Sequence, residues 1–192
     1  MEKLFTGELY EKTDFRTAPL PVAEYEDCTF RNCDLSGADL SGILFIDCVF
    51  TSVNLSLARM VGTSLRDVVF KDCKMLGLHF GDCNAFGLSV SFDSCTLNHS
   101  SFFGVKLKKT VFNATQLQEV DFTDCDLTGS VFSRCDLKDA HFERTILEKA
   151  DLRSSFHYSI DPDGNRIKKA RFSLSSVAGL LNRYDIDIDH KS

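Results

Sequence analysis

The sequence predicts an all-β solenoid, a coil of short sides stacked along one axis, and three observations predict it. Every fifth residue is large and apolar. The series Phe15, Leu20, Tyr25, Phe30, Leu35, Leu40, Phe45, Phe50, Leu55, Met60, Leu65, Phe70, Met75, Phe80 holds fourteen such residues in one phase. After a shift of two it resumes with thirteen more: Phe92, Leu97, Phe102, Leu107, Phe112, Leu117, Phe122, Leu127, Phe132, Leu137, Phe142, Leu147 and Leu152. The position two before each large residue is nearly as restricted, since 25 of 27 such sites hold Ala, Cys, Ser, Thr or Val, the exceptions being Ile43 and Leu78. None of these 54 sites is charged in a chain with 50 charged residues, which places both positions in a dry interior where an unpaired charge is strongly unfavourable.

A period of five fits neither the helical spacing of about 3.6 nor the alternation of about 2 of a plain strand. In extended chain, residues two apart share a face, so the small and the large residue point inward together while the others face solvent and turn a corner. One such coil cannot bury its inward residues alone; successive turns must stack. From Phe92 to Leu147 the large position alternates strictly between Phe and Leu, so like residues stack if a turn holds an even number of repeats. The periodicity leaves two and four both open.

The chain divides into an N-terminal cap (1–12), the repeat coil (13–172) and a C-terminal tail (173–192). Pro19 and Pro21 flank the inward Leu20 and remove two backbone donors, as suits an edge coil. Residues 81–91 hold the phase shift, with Phe86 between Gly81 and Gly87, and are expected to bulge from one side or kink the rod. After Leu152 the phase returns at Phe172, so a last coil includes the turn Asp161-Pro162-Asp163-Gly164. Val177, Leu180, Leu181 and Tyr184 then follow helical spacing, with Ser173, Ser175 or Ser176 as caps. Ile186 and Ile188 alternate with Asp185, Asp187 and Asp189 as in an exposed strand.

Enzymatic readings find little support, because the sequence has no glycine-rich phosphate loop, nucleophile elbow or metal-ligand spacing. No catalytic, cofactor or metal site is assigned. The eight cysteines, Cys28, Cys33, Cys48, Cys73, Cys83, Cys95, Cys125 and Cys135, all occupy the small inward position and none forms a C-x-x-C pair, so they read as buried thiols packed like Ala or Val. The N-terminus lacks an apolar run and nothing reaches the length of a membrane span, so the chain is expected to be cytoplasmic, with no membrane partner.

The stretch FTDCDLTGSVFSRCDLKDAHFERTILEKADL resembles the A(D/N)LXX pattern of the pentapeptide repeat proteins, over about residues 13 to 155. The resemblance implies a right-handed quadrilateral β-helix with four repeats per turn, hence roughly seven turns and a rod on the order of 35 Å long at about 4.8 Å per rung. On a twenty-residue turn Cys28 and Cys48 lie on adjacent rungs, but a reducing cytoplasm argues against a disulfide. Ser101, Asp121 and His141 also line up on three rungs; with Asp121 in the middle, His141 cannot take a proton from Ser101, so this is no triad.

Charge is more informative. The formal net charge of −6 divides into −5 over residues 1–90, −2 over 91–160 and +1 over 161–192. Asp27, Asp47 and Asp67 stack in one outward column, and Asp14, Asp34 and Asn54 in another. Stacked like charges oppose folding, and the repeat does not require them. They read either as a solvated acidic side that keeps the rod soluble or as a surface that mimics DNA. Direct nucleic-acid binding is not expected: the net charge is negative, and the cluster Lys106, Lys108 and Lys109 meets Asp126, Thr128 and Gly129 one rung on, favouring a bridge to Asp126.

The segment CNAFGLSVSF and the tail are similar to the Qnr-type quinolone-resistance proteins. By that resemblance Val177, Leu180, Leu181, Tyr184, Ile186 and Ile188 join two subunits tail to tail; the alternative is that they cap their own last coil. The resemblance to Qnr and MfpA-type proteins further implies a non-catalytic protein whose acidic residues Asp14, Asp34, Asp27, Asp47 and Asp67 engage a type II topoisomerase, DNA gyrase or topoisomerase IV. The chain lacks the long protruding loops of many Qnr proteins. The alternative from another class is a scaffold that presents a flat side to an unrelated protein.

Overall fold

A computed structural model describes residues 3–189, and there the five-residue period closes into a four-sided parallel β-helix. Its strands are β1 (Leu4–Thr6), β2 (Leu9–Glu11), β3 (Glu24–Glu26), β4 (Thr29–Arg31), β5 (Leu44–Ile46), β6 (Val49–Thr51), β7 (Ser64–Arg66), β8 (Val68–Lys71), β9 (Val90–Asp93), β10 (Val111–Asn113) and β11 (Val131–Ser133). They form two parallel sheets, one of four strands in the order β1-β3-β5-β7 and one of seven in the order β2-β4-β6-β8-β9-β10-β11. These are the first and second sides of the coil. The third side is a ladder of single bridges from Asp14 through Asp34, Asn54 and Lys74, and the fourth runs from His79 through Ser101 and Asp121 to His141. Phe30 pairs with Phe50 and Phe112 with Phe132, so a turn is twenty residues, or four repeats. Seven strands on the second side span six turns, and bridges from Val131 to Asp151 and on to Arg171 continue it.

Corners explain why the strands are so short. Among the described residues twenty-one other than glycine have positive φ, most of them two positions after a large inward residue. A left-handed residue reverses the chain sharply, which L side chains resist and Asp or Asn resist least. Many corner N–H groups are satisfied by the next rung; Asp27, for instance, donates to the carbonyl of Ile46 at 3.1 Å.

Inside, like stacks on like. Phe30 and Phe50 lie 4.6 Å apart at 5°, Phe112 and Phe132 4.8 Å apart at 7°. Rings on different sides meet edge to face, as Phe112 and Phe122 do at 85°. This arrangement suits the aromatic quadrupole and fills the axis of the coil.

Small inward residues do more than fill space. The thiols of Cys33, Cys48 and Cys135 donate to the carbonyls of Tyr10, Tyr25 and Phe112, at 3.4, 3.2 and 3.3 Å. The hydroxyls of Thr63, Ser130, Thr145 and Ser155 make the same bond to Leu40, Leu107, Phe122 and Phe132. Every one reaches back 23 residues, to the large residue of the rung before. Cysteine here behaves as a weak relative of Ser and Thr, a role beyond the Ala-like packing expected of it. All eight cysteines are free and buried. Burial pushes the thiols of Cys48 and Cys83 up to about 12 and that of Cys135 up to about 11, so they stay protonated and unreactive at neutral pH.

The phase break is a bulge on the first side. Its sheet ends at β7, whereas the second side passes straight through, with Phe70 opposite Phe92. Two extra residues are absorbed where Phe86 turns outward, 76% exposed, under the guanidinium of Arg66 at 5.4 Å. The described part of the N-terminal cap is itself a rung, since β1 and β2 pair in register with β3 and β4.

At the other end the expected helix is present as two 3-10 turns, Val177–Leu180 and Asn182–Tyr184. Gly179 lies so close to Tyr158 that an added Cβ would sit 2.2 Å from its carbonyl oxygen, and the Gly179 carbonyl accepts the Ile160 N–H at 3.0 Å. That close docking holds the segment to the last coil at a single glycine. No serine side chain caps the turns; Ser176 instead accepts a hydrogen bond from Tyr158 at 3.2 Å. Residues 185–189 form no strand, and Asp185 at their start is left-handed at φ 49°.

Candidate partner-binding surfaces

Five carboxylates were expected to form an acidic surface, and the coil divides them into two sets. Asp27, Asp47 and Asp67 occupy the corner between the first and second sides, at φ 52°, 53° and 52°. All three are exposed, and among the described residues none has a basic partner within ion-pair distance. Asp67 accepts one hydrogen bond, from the Ser89 hydroxyl at 2.7 Å. Asp tolerates the left-handed corner, which supplies a local reason for the residue type. The corner does not demand it, however, since Lys12, Ser52 and Leu57 adopt the same conformation elsewhere.

Asp14 and Asp34 lie on the third side and are partly neutralised. The Arg16 guanidinium donates to both oxygens of Asp14, at 2.9 and 2.7 Å, and reaches Asp34 at 3.4 Å. Its hydrogen bonds hold the Asp14 carboxyl down at about 2. Asp34 is lowered first by the Ser36 hydroxyl, a 2.6 Å hydrogen bond, with Arg16 contributing less. Farther along, this column becomes Asn54 and Lys74, so it offers no continuous anionic edge.

Ser101, Asp121 and His141 do occupy successive rungs in that order, with Ser101 donating to Asp121 at 3.4 Å. Lys108 bridges Asp126 at 3.2 Å, as expected. Among the described residues no cluster of three or more His, Cys, Asp or Glu is arranged to hold a metal, and no helix is long and apolar enough to cross a membrane.

Sequence reasoning did not locate the apolar recess beneath the bulge. A cavity of 180 Å³ there is lined by Phe80, Cys83, Leu88, Phe103 and Val105, with Lys106 at its edge. Phe86 and Phe103 stand exposed on this part of the surface. The displaced phase at Phe86 was the available signal, but depth is a property of the stacked rungs.

The tail residues separate by environment. Leu180 packs against the core, Val177 and Ile188 are half-buried, and Leu181, Tyr184 and Ile186 are exposed. Arg183 bridges Asp161 and lies 3.6 Å from Asp163, while the Tyr184 hydroxyl donates to Asp163 at 3.0 Å. The tail is thereby tied to the turn of the last coil.

These features define a repeat solenoid whose surface is built from stacked edges and sides. The model of the pentapeptide repeat region matches residues 23–88 and 88–152, and the chain belongs to the pentapeptide repeat family. Among solved structures, trypsin-treated QnrB1, a plasmid-mediated fluoroquinolone resistance protein, superposes with a TM-score of 0.64 at 22% identity, over 98% of this chain and 99% of that one. Full-length QnrB1 superposes at 0.55 with 20% identity, over 95% and 100% of the two chains. At such identity the likeness concerns the fold. A search of curated proteins found no match.

Proposed function

We propose that this protein is a non-catalytic, cytoplasmic, protein-binding solenoid that presents Asp27, Asp47 and Asp67 as a substitute for DNA phosphates to a type II topoisomerase, DNA gyrase or topoisomerase IV. The observation that carries the reading is the exposed carboxylate column on one convex edge, one charge per rung, without basic partners among the described residues. At about 4.8 Å per rung the column approaches the roughly 3.4 Å axial spacing of charges along one DNA strand. Asp14 and Asp34 contribute less, because Arg16 lies between them. The full-length likeness to QnrB1 supports a rod of this kind.

In this reading two subunits associate through the tail. Leu181, Tyr184 and Ile186 supply the exposed contact, while Val177, Leu180 and Ile188 support it from below.

The test is gyrase supercoiling titrated with the purified protein, with and without a fluoroquinolone. The comparison variant is Asp27→Asn, Asp47→Asn, Asp67→Asn; asparagine keeps the left-handed corner and removes only charge. Inhibition or drug protection that the variant loses supports the proposal. No effect at concentrations where the protein is folded and soluble refutes it.

A second reading rests on the recess beside Phe86 and Phe103: a scaffold that docks an unrelated protein through apolar contact. Salt separates the two, since a charge-led complex weakens steeply with ionic strength and an apolar one does not.

A further inference from the structure

The corner that carries the aspartates changes sign past the phase break. In register with Asp67 come Ser89 and then Lys109, Gly129, Lys149 and Lys169, the last four all at positive φ. Rung-to-rung bonds fix the stacking: the N–H of Lys109 donates to Thr128, that of Gly129 to Glu148 and that of Lys149 to Lys168, at 3.0, 2.8 and 3.0 Å. An added Cβ on Gly129 would lie 3.7 Å from Cγ of Lys109, so the Lys109 stem runs along the edge over the glycine. Lys106 and Lys168 widen the strip on the first side.

Carboxylates on this part of the rod already have partners. Asp126 pairs with Lys108 at 3.2 Å, Glu148 with Arg166 at 2.7 Å and Asp151 with Arg153 at 2.7 Å and Arg171 at 3.2 Å. Lys106, Lys109, Lys149, Lys168 and Lys169 are all exposed, and among the described residues none has a carboxylate within ion-pair distance. The expectation against nucleic acid rested on total charge and on one rung of lysines; stacking adds Lys149, Lys168 and Lys169, which lie about forty and sixty residues away in sequence.

We infer that this basic edge binds the phosphate backbone of duplex DNA. From Lys109 to Lys169 the strip covers three rung intervals, about 14 Å. Duplex DNA carries one charge per about 1.7 Å of axis, and releasing its counterions favours a straight row of cations with no need for a pocket. Ammonium groups on flexible stems are point charges suited to spaced phosphates, whereas the guanidinium forks that match carboxylates are occupied here by Glu148 and Asp151. The acidic first half repels a duplex laid along the rod, so the duplex crosses it at the C-terminal half. This inference is independent of what the acidic column binds.

The test is fluorescence anisotropy of a labelled duplex of about 20 bp across a salt series starting near 50 mM, where binding should be in the micromolar range. With three to five phosphates neutralised, the slope of log K against log salt should fall between about −3 and −4.5. Lys109→Glu, Lys149→Glu, Lys169→Glu together should weaken binding by about tenfold or more, while Lys12→Glu with Lys71→Glu should not. Glu119 already occupies an equivalent left-handed corner, and an unchanged melting temperature verifies the fold of the triple variant. No binding at low salt, or binding indifferent to the triple variant, overturns the inference. Polyglutamate bound as tightly as the duplex and through the same lysines also overturns it, in favour of an acidic protein segment.

Discussion

At a left-handed corner the choice of side chain is a choice about strain. Asp47 is at φ 53°, where Asp and Asn have the smallest penalty among side chains with a Cβ. Asp47→Asn should therefore leave the melting temperature nearly unchanged, whereas Asp47→Val should cost about 1 to 2 kcal/mol, measurable by urea titration. The inward polar groups allow a second prediction. Thr145 donates to the carbonyl of Phe122 at 2.8 Å in a fully buried site, so Thr145→Val should lose about 1 kcal/mol although its volume is conserved. Acid should affect the third side. The Arg16 contact lowers the Asp14 carboxyl, so its stabilisation is complete above the unfolded carboxylate value, near 4, and is lost as the pH falls toward about 2. A carbon-detected titration should show that carboxyl returning toward its ordinary value in Arg16→Ala. The small inward class was legible from the residues alone, because only size and absence of charge were needed. The bond 23 residues back was not, since it requires the number of repeats per turn, which periodicity leaves open and the family resemblance supplies.

Among elements, the stacked sides and the tail differ in what holds them. Phe122 is fully buried between Phe102 and Phe142, with ring centroids at 5.4 and 5.1 Å. Phe122→Ala should cost about 3 to 5 kcal/mol, and Phe122→Asp should abolish folding. The tail depends on few contacts. Gly179→Ala should expel it from Tyr158, detected as faster proteolysis after residue 173 with little change in the β spectrum. The helical spacing of Val177 to Tyr184 was legible, but its 3-10 form was not, because the close approach of Gly179 to Tyr158 is a tertiary constraint. The strand pattern of Ile186 and Ile188 failed for a similar reason: alternation of side chains does not supply a neighbouring edge. If Leu181 and Ile186 form the subunit contact, Leu181→Asp with Ile186→Asp should halve the sedimenting mass; an unchanged mass would leave the tail as a cap.

Over the whole molecule, two blocks of rungs share three sides and part on one, since the bridges Lys74 to Thr96 and His79 to Ser101 carry the third and fourth sides across the break as well. The second side runs through the break from β8 to β9, while the first side loses its sheet after β7. The charge of the corner between these sides reverses at the same place, from Asp67 to Lys109. The five acidic candidates could be listed from sequence, yet only the closed coil shows that three share an exposed edge while two lie with Arg16 on another side. The same closure brings Lys109, Lys149 and Lys169 into line. Because each rung is held chiefly by the rungs next to it, resistance to pulling along the axis is shared unequally. A rod stretched between its ends should lengthen in two steps, with the weaker link at the bulge, where only three of the four sides carry load from one half to the other.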